Sequence, residues 1–184
     1  SQTGLAISGG GAVAINTITG KTNSYISSSN IQSAEDIDLG AMSSSEISAT
    51  VVAASLALGV GSNTGVGVSL GIAVAKNSIG YTSGGDETDS EVKAYIRDSA
   101  ITSSGDLNLT AVASQKINSV VIAGSAAIAA SGTTGVAVSG SGVWAENKIG
   151  VDVHSFIDGD GDTGISANTM SLTAQDTSGI FSHA

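Results

Sequence analysis

Two runs of carboxylates interrupt a chain otherwise made of small side chains. One is Asp86, Glu87, Asp89 and Glu91; the other is Asp158, Asp160 and Asp162. A hard cation such as calcium takes six to eight oxygen ligands, largely from carboxylates. The segment DGDGDTG from Asp158 alternates acid with glycine, like the opening of a D-x-D-x-D calcium loop. Asp158, Asp160 and Asp162 are therefore the candidate metal ligands, and calcium is the candidate ion. The match ends there. An EF-hand wants Gly at its sixth position and Glu at its twelfth, where this chain has Thr163 and Thr169. Solvated loop charge is the plainer expectation for both runs.

Gly67-Val68-Ser69-Leu70-Gly71 fits the G-x-S-x-G pattern of a nucleophile elbow. That elbow needs a strand-to-helix turn, a His and an acid, whereas this segment lies inside an alternating apolar stretch. Its serine also recurs as Ser8 and Ser139, which suits a packing residue better than a nucleophile. His154 and His183 are the only imidazoles, and His154 falls on a polar face. There is no His metal spacing and no P-loop. No residue set here is built for a reaction, so the chain reads as a non-enzyme without a certain cofactor.

The elements that would position these residues follow from composition and period. The chain has 184 residues, 17.8 kDa, no cysteine and no proline, and only 3% aromatics. Ser, Ala, Gly and Thr number 31, 25, 25 and 16, more than half of the chain. The helix formers Leu, Glu, Lys and Arg are scarce, and 41% hydrophobic against 12% charged residues does not describe a solvated coil. Proline cannot donate to a sheet ladder, so its absence suits continuously paired strands. Abundant Gly and Ala suit sheets that approach closely. A formal charge of -10 repels nucleic-acid phosphates and anionic lipid, so nucleic acid is not an expected partner. No run of 18 apolar residues occurs, so no membrane span is expected. The ends read as cut from a longer chain, with targeting information outside it.

Self-comparison is the most informative step. Gly4 opens GLAISGGGAVAINTI, Gly65 opens GVGVSLGIAVAKNSI and Gly135 opens GVAVSGSGVWAENKI. The spacings are 61 and 70 residues, and the acidic insertion Thr82 to Glu91 accounts for the difference. Tyr25 then matches Tyr95, Asp36 matches Asp106 and Leu39 matches Leu109. The expected division is repeat 1 over 1–64, repeat 2 over 65–134 and a truncated repeat 3 over 135–184, forming one continuous unit. Within each repeat the period is two. From Ala145 to Val153 the odd positions are mostly apolar and the even ones polar, which describes a half-buried strand. Ser62 to Gly65 (SNTG) and Gly132 to Gly135 (GTTG) separate long apolar-small runs and read as hairpin turns.

Asn16, Asn77 and Asn147 share parity with the apolar face. A buried amide must have its hydrogen bonds met, and an asparagine ladder between stacked repeats would meet them. Trp144 stands where Val13 and Val74 stand, on the opposite face. That face is apolar too, so a covering layer is expected: a neighbouring repeat or another subunit. Asn16, Asn77, Asn147 and Trp144 are thus structural candidates.

AYIRDSAITSSGDLNLTA (Ala94 to Ala111), its two relatives and the GVWAENKIG block resemble repeats of filamentous-haemagglutinin-like and other giant secreted bacterial adhesins. The resemblance implies an extracellular location at the bacterial cell surface and a role as stalk or adhesive surface. The fold expected is all-β, an elongated β-solenoid (β-helix-like) with long hairpins. The alternatives are a stacked β-sandwich or an intertwined oligomeric β-prism. The expected partners are neighbouring repeats of the same protein, with self-association through exposed end strands and surface glycans as further candidates. The competing function is a carbohydrate-binding or polysaccharide-degrading β-helix module.

Overall fold

Three passes of five strands make up the protein, seen in a computed structural model that describes residues 2–159 and 161–184. The first pass is β1 (Thr3–Ile18), β2 (Lys21–Ser27), β3 (Asn30–Ser33), β4 (Ile37–Ser43) and β5 (Glu46–Gly61). The second is β6 (Thr64–Ile79), β7 (Glu91–Arg97), β8 (Ala100–Ser103), β9 (Leu107–Ala113) and β10 (Lys116–Ser131). The third is β11 (Thr134–Ile149), β12 (Asp152–Asp158), β13 (Ile165–Ser166), β14 (Met170–Asp176) and β15 (Gly179–His183). Every strand pairs in parallel with its counterpart one pass away, giving five three-stranded sheets. No helix occurs among the described residues.

The register is that of the sequence repeat. Ser8, Ser69 and Ser139 are paired, as are Asn16, Asn77 and Asn147, and Ile18, Ile79 and Ile149. On the other long sheet Ile47, Ile117 and Ile180 align. The insertions after Ile79 and Asp158 leave this register undisturbed, because β7 and β13 pair with their counterparts beyond them.

Two turns differ from their sequence reading. The SNTG and GTTG segments are not hairpins: β5 and β6 lie in different sheets, as do β10 and β11. The chain folds over from one long sheet to the facing one. The reason is that both edges of β6 are already occupied by β1 and β11, leaving none for an antiparallel partner. The turns stack as well: the Thr64 amide donates to the Gln2 carbonyl, and the Thr134 amide to the Asn63 carbonyl. The stretch from Ala145 to Val153 is two strands rather than one, divided at Gly150, yet its odd positions stay on the inner side across that corner.

The short strands enclose an ordinary apolar core of Ile96, Ile101, Leu107, Leu109 and their neighbours. The long strands form a thin, two-layered blade. Mostly small residues stand between its sheets, Ala53, Ala73 and Ala75 with Val51 and Val121, and Ile47, Ile79 and Ile117 close its neck. Facing sheets normally sit about 10 Å apart. In the blade the backbones come much nearer. A Cβ at Gly71 would stand 2.5 Å from the Gly124 carbonyl oxygen, and one at Gly67 2.7 Å from that of Ile128. At Gly59 and Gly61 it would collide with the carbonyls of Val66 and Thr64. Glycine is required at these positions by space.

Candidate functional site

At the neck, the three asparagines form a continuous ladder. Asn16 Nδ2 donates to Asn77 Oδ1 at 2.8 Å, and Asn77 Nδ2 donates to Asn147 Oδ1 at 2.8 Å. The second hydrogen of Asn77 reaches Ser119 Oγ in the facing sheet at 3.2 Å, and Asn147 repeats that contact with Ser182 at 3.1 Å. Asn77 and Ser119 are fully buried. These amides are bonded to one another between repeats and to serines of the facing sheet.

Ser69 is buried in mid-strand. Ser55 donates to the Leu70 carbonyl at 2.6 Å, so the 2.7 Å contact between the two hydroxyls is a bond from Ser69 to Ser55. A buried serine whose proton goes to another serine lacks the base that a nucleophile requires. His154 is exposed beside Lys93 on the β12–β7 pair, and His183 lies at the end of β15.

The acidic runs come to different ends. Glu91 opens β7 and is paired with Lys93; it also accepts from Asn23 Nδ2 at 2.8 Å and lies 3.9 Å from Lys21. The Lys93 ammonium, then the Asn23 amide, hold its carboxyl below the usual carboxylate range. Asp89 is 3.8 Å from Lys21. Asp158 meets Arg97 at 3.4 Å, so its charge is answered within the chain. Asp162 lines a shallow cleft with Asp98 and Asn30. Asp160 lies outside the described residues. Among the described residues, no group of three or more His, Asp or Glu is placed to hold a metal ion.

Sequence reasoning missed an aromatic stack. Tyr25, Tyr95 and Phe156 are paired across β2, β7 and β12, with ring centroids 5.2 and 5.1 Å apart and planes within 10°. The Arg97 guanidinium covers Tyr95 at 5.5 Å. The signal was available, since an aromatic recurs at one repeat position. Because the rings stack on one another, Tyr95 has both faces covered, and only the outer faces of Tyr25 and Phe156 at the two ends of the row are left. A sugar platform needs an open ring face, so this stack is a poor one.

A second polar ladder closes the turns before β4, β9 and β14. The Asp106 amide donates to Asp36 Oδ1 at 2.8 Å, and Asp106 Oδ1 accepts from Asn168 Nδ2 at 2.9 Å and the Thr169 amide at 3.1 Å. Those bonds, Asn168 first, lower the Asp106 carboxyl below its ordinary range.

Trp144 is 52% exposed on the outer face of the blade, where no layer of this chain covers it. The expected cover is therefore not another part of the same three repeats. Taken together, these polar residues tie repeat to repeat, and the large surface left uncovered is apolar. No family model, curated protein or solved structure matches the chain.

Proposed function

We propose that this chain is a β-solenoid segment of a large extracellular bacterial surface protein, whose stacked repeats build a lateral, adhesive surface. One observation carries the reading: side-chain groups of each repeat are satisfied by equivalent groups of the next. The Asn16–Asn77–Asn147 ladder does so, and the Asp36 and Asp106 carboxylates each accept a main-chain amide from the equivalent turn of the next repeat. Such a unit is completed only by its neighbours, as in quasi-one-dimensional repeat proteins.

The geometry also favours surface over length. A repeat of 61 or 70 residues advances the stack by one strand spacing, about 4.8 Å. That is a poor way to build a spacer and an effective way to multiply flank. The competing reading, a polysaccharide-degrading module, finds little support in a buried Ser69 and a self-stacked aromatic row. Binding to a panel of surface polysaccharides, run beside a reducing-end assay on the same polymers, tests the choice. Retention without new reducing ends is expected. Release of reducing ends would assign the chain to the enzymatic reading, and retention of none would refute glycan adhesion.

A further inference from the structure

The blade is turned inside out. Polar side chains point inward and are bonded there, as with Ser55 to the Leu70 carbonyl and Asn77 to Ser119. Most of its large apolar side chains point outward on the two flat faces. On the β1–β6–β11 face, Leu70 and Ile72 are 54% and 58% exposed although β6 is flanked by a strand on each side. From Thr64 at the blade's tip to Val74, the outward side chains of β6 carry no charge.

That face has relief. The register places Leu70 between Gly9 and Gly140, and Ile72 between Gly11 and Gly142. A ridge of two large side chains therefore runs between two glycine rows. The inner glycines of the blade are required by space, but these outer ones are not. A Cβ would meet nothing within 4 Å at Gly9 or Gly142, and only ordinary contacts at Gly11 (3.8 Å) and Gly140 (3.5 Å). None of them has a positive φ that would demand glycine. Glycine weakens a strand interior, and there it often marks the close approach of another backbone. Leu70 leans into the Gly140 row, where its Cδ2 stands 3.5 Å from the Cβ position. The open recess is thus Gly9–Gly11, closed lengthwise by Ile7 and Val13.

Ridge and recess lie side by side on one face, which makes the face self-complementary, the condition for a two-fold contact between identical chains. Sliding one copy sideways by a strand puts its Leu70–Ile72 ridge over the Gly9–Gly11 recess of the other, and the reverse contact follows. The area suffices. The exposed parts of Leu5, Ile7, Val13, Ile15, Leu70 and Ile72 come to roughly 450 Å², at about 32 Å² per methylene-sized group. Interfaces are about 56–65% apolar, so this is the apolar share of roughly 700–800 Å² per partner, close to the usual size of about 800 Å². No carboxylate stands on β1 or β6, so the acidic surface of the chain lies outside the contact.

We infer that the β1–β6–β11 face binds a second copy of the chain, the Leu70–Ile72 ridge of each seated in the Gly9–Gly11 recess of the other. This goes beyond the adhesive reading and does not rest on it, since glycan retention is measured separately. The test is sedimentation velocity of the chain from micromolar to near-millimolar concentration, where a reversible monomer–dimer equilibrium is expected. Gly9→Val with Gly11→Val adds apolar bulk to the face but fills the recess. It should weaken dimerisation at least about tenfold, with far-ultraviolet circular dichroism unchanged and the urea midpoint no lower. Leu70→Asp, which removes the ridge, should weaken it as much. Leu58→Asp, exposed on the opposite face, should leave it unchanged and controls for added charge. A chain that stays monomeric throughout would overturn the inference. So would a double valine variant that dimerises as well as the wild type or better, the mark of unspecific apolar clustering. Association lost with Leu58→Asp instead would place the contact on the opposite face, and association that survives every variant would place it at the strand edges; either result overturns the inference.

Discussion

Replacing Asn77 by alanine removes a side chain that joins all three repeats and both long sheets. It accepts from Asn16 and donates to Asn147 and Ser119, at 2.8, 2.8 and 3.2 Å. A hydrogen bond contributes about 1 kcal/mol net, so three place the loss near 3 kcal/mol. The lost partners raise it further, because Ser119 is fully buried and a stranded buried group costs about 1–3 kcal/mol. Asn16→Ala removes one ladder bond at the partly buried end of the ladder, where water entering the vacated space can take up the freed Asn77 Oδ1, which sets an internal standard of about 1 kcal/mol. In urea, with an m-value of about 2 kcal/mol/M, the midpoints should fall by about 1.5 M for Asn77→Ala and about 0.5 M for Asn16→Ala. Asn77→Asp keeps the acceptor and loses both donors, so at neutral pH it should cost at least as much as alanine. Equal midpoints for Asn16→Ala and Asn77→Ala would refute the ladder as a source of stability. So would an Asn77→Asp protein as stable as the wild type.

The spacing of the blade predicts a split among its glycines. Gly71→Ala places a methyl 2.5 Å from the Gly124 carbonyl, an overpacking cost of about 1–3 kcal/mol, whereas Gly124→Ala meets nothing and should change the melting temperature little. The depressed carboxyl of Glu91 predicts acid sensitivity. Its contribution is present above the unfolded glutamate value of about 4.3 and is lost as pH falls through the lower folded value. Urea midpoints of the wild type should therefore fall more steeply in acid than those of Glu91→Gln. Tyr95→Ala breaks two ring pairs worth about 0.5–1.5 kcal/mol each, and should lower the midpoint more than Tyr25→Ala, which breaks one.

Much of this architecture was legible because repetition converts sequence into register. Ser8, Ser69 and Ser139 align at offsets of 61 and 70, and the same residues are paired in space. The asparagines were legible through their parity. The hairpins were misread for a physical reason: a two-residue turn between apolar runs looks alike whether the strands pair or face each other. Only the occupied edges of β6 decide it. Glu91 was read as part of an acidic loop because its partners, Lys93, Asn23 and Lys21, come from its own strand and from the previous repeat.

The orientation of the blade was hidden by a rule that holds elsewhere in the chain. Period two says that a strand has two faces, and apolar bulk usually identifies the inner one. In the short strands it does, with Ile96, Leu107 and Leu109 fully buried. In the long strands the inner parity of β6 reads Ile79, Asn77, Ala75, Ala73, Gly71, Ser69, Gly67, Gly65 from neck to tip. On β5 it reads Ile47, Ala49, Val51, Ala53, Ser55, Ala57, Gly59, Gly61. Both fall in size from neck to tip, with single steps back at Val51 and Ser69, and two such facing gradients make a wedge. Side chains as large as isoleucine hold the sheets apart at the neck, and glycines let the backbones meet at the tip. Toward the tip the close approach leaves no room for Leu, Ile or Val between the sheets, so there those residues occupy the outer parity. A size gradient along one parity is therefore the sequence mark of converging sheets, and it reverses the usual assignment of inside and outside.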